Sequence, residues 1–230
     1  MLTERTDLAH CADIEGAVVV IDVLRSFTTA AVALACGAAE LILPATLAAA
    51  QAMKAADPAL LLIGALGGGA PAPGFDVGNS PSQLEGHDLA GRRALLHTAG
   101  GTRGVVGCEQ AAFVLGASMV CAAATARLLR ALAPPLVTFV ITGRWTDREG
   151  DEDHACADLI EAMLHGADPP REPYVERVRG SDFGRRFAAG AEPHLPAADL
   201  DCCAAVDRFD FAMRVEPHPQ GRVLRAVQAP

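Results

Sequence analysis

The stretch Ala17–Gly37, AVVVIDVLRSFTTAAVALACG, decides how the rest of the chain is read. Its first part, Val18–Val23, is an apolar run dominated by β-branched residues and interrupted only by Asp22. That pattern belongs to a strand buried on both faces, as in a parallel sheet covered by helices. Arg25–Thr29 interrupts the run, and Ala30–Cys36 then reads as a helix stopped by Gly37.

The same alternation continues downstream. Leu41–Leu43 is predicted as a short strand before Pro44, and Thr46 is placed to cap a helix over Leu47–Ala56, with Pro58 beyond its end. Leu60–Ile63, Ala94–His97, Phe113–Leu115 and Leu136–Thr142 are further buried-type strands. Helices are expected over Val105–Gln110, from Ser118 to about Ala133, and over Glu152–Leu164. Ser80-Pro81-Ser82-Gln83 has the serine, proline and glutamine of a capping box that opens a short helix. Beyond His165 the pattern weakens, with Phe209–Val215 and Val223–Val227 as terminal strands. Strands alternating with helices give an α/β fold with a largely parallel sheet. No linker divides the chain, so residues 1–230 read as one domain or as two packed α/β halves.

Composition narrows the function. The chain carries 28 acidic and 19 basic side chains, a formal charge of −9, which speaks against nucleic acid or an anionic membrane surface as partner. Lys54 is the only lysine. It follows no glycine-rich loop, which excludes a Walker-type phosphate loop, and it reads as lying on a solvated helix face, poorly placed for Schiff-base chemistry. The 7 cysteines show no repeated spacing, and Cys36 and Cys121 fall in Ala-rich runs where cysteine serves as a small buried residue. The opening MLTERTDLAH is unlike a secretory signal, and Glu40 and Pro44 interrupt the best apolar stretch before it could span a membrane. A cytoplasmic, reducing location is expected.

In open α/β sheets ligands gather where strand ends run into helices. Four such junctions carry chemistry here: Ile21–Thr29, Gly64–Asn79, His97–Gly104 and Thr142–Asp153. Arg25, Arg103 and Arg144 offer planar forks to phosphate or sulfonate oxygens. The hydroxyls of Thr28, Thr29, Ser80 and Thr102 suit an oxyanion, and Asp22, Asp76, Glu152 and Asp153 are hard oxygen ligands suited to Mg²⁺. Each has a plainer explanation, since Asp22 can simply cap the next turn and arginine–carboxylate clusters are commonly surface pairs; the recurrence at four junctions favours a site. Cys121 and Arg127 match the C-x₅-R spacing of cysteine phosphatases, but the stretch lacks glycine and reads as mid-helix. His97 at a strand end and Trp145 in the polar loop can face the cleft, or equally complete the core.

These segments carry a resemblance. Ile21–Leu34 resembles the DVLRATTT segment of the 2-phosphosulfolactate phosphatase family, and GFDVGNSP (Gly74–Pro81) is similar to its GFD-x-GNSP. TAGGTR (Thr98–Arg103) resembles its T-T-N-G-T-R turn, Gly143–Ile160 its G-x-E-G-x-x-x-x-E-D segment, and the tail from Ser181 to Pro217 the end of the family. The resemblance implies a layered α/β/α fold with a largely parallel or mixed sheet, commonly a homodimer. It implies Mg²⁺-dependent hydrolysis of 2-phospho-3-sulfolactate, a small anionic phosphorylated acid, to 3-sulfolactate and phosphate, a step of coenzyme M biosynthesis. On this reading Asp22, Asp76, Glu152 and Asp153 supply the metal ligands and Asp22, Arg25, Asp76 and Arg103 the catalytic groups. Thr28, Asn79, Ser80, Thr102 and Arg144 then bind substrate. Three positions depart from the family: Ala65-Leu66 stands where it has Glu-Arg, and Gly100 where it has asparagine. The departures leave open a relative that binds an anionic metabolite without hydrolysing it, or a structural dimer partner.

Overall fold

Residues Val18 to Ile21 are inaccessible to solvent, as the unbroken apolar run requires. The computed structural model describes residues 1–70, 73–144 and 148–229. Its elements are β1 (Leu2–Asp7), β2 (Ala17–Ile21), α1 (Ser26–Ala35), β3 (Glu40–Leu43), α2 (Leu47–Ala56), β4 (Leu61–Ala65), β5 (Val77–Gly78), α3 (Pro81–Leu84), β6 (Arg93–Thr98) and α4 (Gly101–Gly107). There follow β7 (Phe113–Ala117), α5 (Ala122–Leu132), β8 (Leu136–Ile141), α6 (Asp151–Leu164), α7 (Glu172–Gly180), α8 (Asp182–Ala189), α9 (Ala197–Ala204), β9 (Ala212–His218) and β10 (Gly221–Val227).

Among the described residues the strands form one sheet in the order β1-β8-β2-β7-β9-β10-β3-β6-β4-β5. Two parallel blocks, β1-β8-β2-β7 and β3-β6-β4-β5, are joined by the antiparallel hairpin β9–β10. The expected parallel pairing therefore holds inside each block, and the sheet as a whole is mixed. The antiparallel pairings β7–β9, β9–β10 and β10–β3 leave the second block running opposite to the first. Right-handed twist adds roughly 20° per strand, so roughly 100° accumulates between β2 and β6.

Core composition follows from this bend. Val18 and Val20 of β2 share one core with Leu41 and Leu43 of β3, Ile63 of β4 and Leu96 of β6, with α1 packed among them. Ser26 to Leu34 are all buried, which is why α1 has no polar face. The opposite face of the first block, through Val19, Leu115 and Phe139, packs against α5, α6 and α8. Ile42, Leu62 and Leu95 meet Ala50 of α2 beyond the second block. The result is a layered α/β/α arrangement. No described helix is long and apolar enough to cross a membrane.

The sequence reading misses β1, β5, α7, α8 and α9. β1 is polar because it is an edge strand, where charged side chains blunt the open edge. α7, α8 and α9 are short and bury only narrow stripes such as Val178, Phe183, Phe187 and Leu200. The turn expected at Thr98–Gly104 is already helical from Gly101, so α4 starts earlier than Val105. Its glycines answer close packing: a Cβ on Gly104 would lie 2.6 Å from Val20 Cγ1. Cys121 ends a short 3₁₀ turn, Met119–Cys121, at the start of α5 rather than lying mid-helix; it is fully buried, and burial pushes its thiol up to about 11.

Gly116 of β7 tests the packing of α1. A Cβ there would lie 2.6 Å from the ring of Phe27, which is fully buried. Gly116→Ala should cost about 1–3 kcal/mol in urea unfolding, the usual penalty of overpacking. Gly180→Ala, with nothing within 4 Å, should stay within about 0.5 kcal/mol. Equal midpoints for the two variants would contradict the packing described.

Candidate active site

The chain leaves β2 at Asp22, and its carboxylate joins two helix starts. Oδ1 accepts from the Ser26 amide (2.9 Å), while Oδ2 accepts from the Ser26 hydroxyl (2.6 Å) and the Gly101 amide (2.7 Å). A Cβ on Gly100 would lie 2.6 Å from Asp22 Oδ2, so glycine at that position gives the carboxylate room in its present place. Asp153, in the first turn of α6, is held just as firmly. Its Oδ1 accepts from the Val23 amide (2.8 Å) and its Oδ2 from the amides of Thr142 (3.1 Å) and Gly143 (2.7 Å). The ends of β2 and β8 are thereby tied to one helix N-terminus.

Asp22, Glu152 and Asp153 line one cavity of about 50 Å³, together with Arg25, Arg148, Ser26, Thr98 and Thr142. Leu24, Ala65, Leu66 and Phe183 supply apolar wall. All three carboxylates are buried, at 6%, 2% and 1% exposure. Burial pushes the Glu152 carboxyl above its ordinary range, and the Arg148 charge only partly opposes this. Burial, then the charges of Glu152 and Asp22, push Asp153 well above its own. Three buried acids that repel one another are stabilised by a cation among them. Arg148 is the side chain beside them, with its guanidinium carbon 4.4 Å from the centre of the Phe183 ring.

Arg25 lines the cavity but its charge is already matched. Nη1 is 2.6 Å from Asp199 Oδ2 and 3.0 Å from the His194 carbonyl, and Nη2 donates to the Gly69 carbonyl (3.3 Å). Asp199 is fully buried, and its Oδ1 also accepts from the Ser80 hydroxyl (2.8 Å), the Ser82 amide (3.0 Å) and the Ser82 hydroxyl (2.6 Å). Ser80 therefore binds Asp199 and does not cap α3 with its side chain. Asn79 lines the cavity and has its Oδ1 buried without a partner.

Other expected site residues lie elsewhere. Asp76 does not join the carboxylates: β5 pairs beside β4, and this places the Asp76 side chain over Leu62, accepting from its amide (2.8 Å), and against Lys54 Nζ (2.8 Å). Burial opposes ionisation of Asp76, but the Lys54 contact outweighs it and holds the carboxyl below its ordinary range. Lys54 is consequently a paired residue, also donating to the Leu60 carbonyl (2.6 Å), and not the solvated one its helix position suggests. Arg103 is exposed on α4, and exposed Arg144 lies 3.8 Å from Asp7, so neither lines the cavity. Thr28 faces the core, donating to the Val23 carbonyl (2.9 Å) and touching Ser118 Oγ. Thr102 braces the end of β6, donating to the Leu96 carbonyl (3.0 Å) and accepting from the Thr98 amide (3.1 Å). His97 turns toward the Pro44 carbonyl and does not line the cavity, and Trp145 lies outside the described residues.

The cavity suits a hard divalent cation in one particular way. Its donors are carboxylate oxygens, the right chemistry for Mg²⁺. Among the described residues, however, no three acidic, histidine or cysteine side chains converge as a ready cage, and Asp22 and Asp153 already accept several hydrogen bonds. That fits an ion held by one or two carboxylates with the remaining positions left to substrate oxygens and water.

The 2-phosphosulpholactate phosphatase profile matches residues 3–217. The chain belongs to that family. A Deinococcus radiodurans protein named "Probable 2-phosphosulfolactate phosphatase" is 41% identical over 162 residues, covering 70% of this chain and 66% of its own length. Proteins of the same name from Bacillus subtilis and Synechococcus sp. (strain JA-3-3Ab) are 29% and 37% identical and cover 86% and 90% of this chain, and 86% and 91% of their own lengths. Within the family's motifs, the site residues that sequence reading overlooks are Arg148, Ser26, Thr98 and Asp199. Ser26, four residues beyond Asp22, is legible as its local partner; Asp199 carries no local signal, because it reaches Arg25 from 174 residues away.

Removing one member of a buried ion pair leaves the other uncompensated. Asp199→Ala should therefore lower stability by about 3–5 kcal/mol in denaturant unfolding at pH 7. Lys54→Ala, which breaks the half-exposed pair with Asp76, should cost about 1 kcal/mol or less. The reverse ranking would show that Arg25 and Asp199 are not the buried hub described.

Proposed function

We propose that this protein hydrolyses the phosphate monoester of a small phosphorylated hydroxy acid, releasing the hydroxy acid and phosphate, with Mg²⁺ as cofactor. The substrate class is the one named for its relatives, 2-phosphosulfolactate, and the family is one of phosphoric monoester hydrolases. The observation that carries this reading is the cavity where Asp22, Glu152 and Asp153 are buried together beside Arg148.

Each group has a part. Glu152 and Asp22 are the carboxylates that would hold the ion, and bound Mg²⁺ supplies charge neutralisation and polarisation at phosphoryl oxygens. Asp153 is a positioning residue: its amide partners fix the Thr142–Gly143 turn and the start of α6, and with them the backbone of Glu152. Arg148, supported by Phe183, places a guanidinium where charge builds on the transferring group. Leu24, Leu66 and Phe183 form the apolar part of the wall beside these groups. Water attacks phosphorus and the ester P–O bond breaks. The proton that the attacking water loses is taken up by the leaving ester oxygen. A relative that binds without hydrolysing is a second reading, favoured by one observation: Arg25 is matched by Asp199 and adds no unmatched charge.

Phosphate release from 2-phospho-3-sulfolactate and related esters, measured with Mg²⁺ and after chelation, tests the proposal. Release should require the metal, and Glu152→Gln should lower kcat/KM by at least about a hundredfold. Asp76→Asn should stay within about threefold of wild type, as befits a half-exposed pair outside the cavity lining. Tight binding without release from any ester favours the second reading, and equal damage from both substitutions would overturn the site assignment.

A further inference from the structure

The carboxylate-lined cavity, about 50 Å³, has room for a phosphoryl-sized group and not for a whole organic phosphate. A second cavity of about 330 Å³ adjoins it, and the two share Arg25, Gly69 and Asn79. The organic part of an ester whose phosphoryl group lies in the small cavity has this larger space beside it. His194 stands close to the junction: it lines the larger cavity, and its ring carbon Cδ2 would lie 3.8 Å from a Cβ on the shared Gly69. The side chain is 27% exposed, so it is within reach of a ligand and yet partly shielded from water.

Charge sets His194 apart from the rest of that wall. Arg25, the one fixed cation of the described lining, is paired at 2.6 Å with Asp199, and Asn79, Ser80 and Gln83 contribute neutral hydrogen-bonding groups. The imidazole is the side chain of that lining whose charge changes near neutral pH. Glu192 lies 3.5 Å from His194 Nε2, but its carboxylate already accepts from Arg186, at 2.9 Å from Nε and 2.7 Å from Nη2. Arg186 and Glu192 cancel, so protonating the imidazole leaves one positive charge at the cavity wall. The Arg25–Asp199 pair adds nothing to that sum, while Asp22, Glu152, Asp153 and Arg148 line the smaller cavity. Arg25 reaches His194 only through its backbone carbonyl (3.0 Å), a bond that survives replacement of the side chain.

We infer that His194 is a specificity-determining residue, whose protonated imidazole receives, in the larger cavity, the acid group of the substrate farthest from the phosphoryl group. This inference rests on the phosphatase reading above. In 2-phospho-3-sulfolactate that group is the sulfonate, which is carried one carbon beyond the ester and stays ionised throughout the neutral range. Its binding weakens as pH rises and the imidazole gives up its proton, whereas contacts to the phosphoryl group and the carboxylate do not pass through His194.

Phosphate release from 2-phospho-3-sulfolactate and from 2-phospholactate, which lacks the sulfonate, tests this when measured across a pH series with the full-length protein and Mg²⁺. Titration of the metal-binding carboxylates and of the phosphoryl group is common to both esters and cancels in the ratio of their kcat/KM. That ratio should favour the sulfonated ester at about pH 6 and fall by about fivefold by about pH 8.5. His194→Gln should hold it at its high-pH value throughout. His194→Lys, charged across the whole series, should hold it near its low-pH value, which a purely structural role for the ring would not produce. A wild-type ratio independent of pH, or one that still falls in a folded His194→Gln protein, overturns the inference and leaves the phosphatase reading intact. Release from neither ester nor from other small phosphomonoesters overturns the phosphatase reading, and the inference with it.

Discussion

A guanidinium and a carboxylate that have lost contact with water must neutralise each other, and the pairing of Arg25 with Asp199 sets the layout around it. Arg25 begins α1 and Asp199 lies in α9, so their contact at 2.6 Å brings together segments 174 residues apart. The same Asp199 carboxylate gathers Ser80 and Ser82 from the start of α3, and the same guanidinium holds the carbonyls of Gly69 and His194. Four chain segments meet at one buried charge pair, and the two adjoining cavities are the spaces left around it. Such a pair contributes little net stability over an apolar replacement, yet losing either half is costly. Its role here is registration.

The sheet explains why the strand ends meet there at all. The two parallel blocks run in opposite senses, and in a flat sheet their carboxyl ends would point to opposite edges. Twist accumulated across the β9–β10 hairpin turns one block toward the other around α1, until the Gly101 amide after β6 reaches the Asp22 carboxylate after β2. Glycine at positions 100 and 101 is part of this closure, since a Cβ on Gly101 would lie 2.7 Å from Ser26 Cβ.

Local patterning made much of the fold legible. The buried run at Val18–Val23 and the Thr46 cap, which accepts from the Ala49 amide at 3.1 Å, are decided by neighbouring residues alone. Asp22, Glu152 and Asp153 could be anticipated for the same reason, because they sit at strand-to-helix junctions where side chains must point past the sheet end. Asp76, Arg103 and Arg144 occupy similar loops, but their direction is set by pairing and exposure that no local pattern reports. Strand β5 adds to β4 in parallel, and its register commits Asp76 to Leu62 and Lys54. Asp199 was invisible in the opposite sense, since nothing adjacent to it in sequence marks it and its partner is Arg25, whereas Arg148 lies inside the marked Thr142–Asp153 junction and is distinguished only by its contact with Phe183 of α8.

The acidic balance of the chain, −9, first argues against anionic partners, and the structure sharpens what that means. Arg25 is matched by Asp199, and the single lysine by Asp76. At the cavity itself three buried acids exceed the charge of Arg148. Under the proposed function, an anionic substrate entering such a place would need a further cation beside it, and the excess of acid is what would draw a divalent metal there.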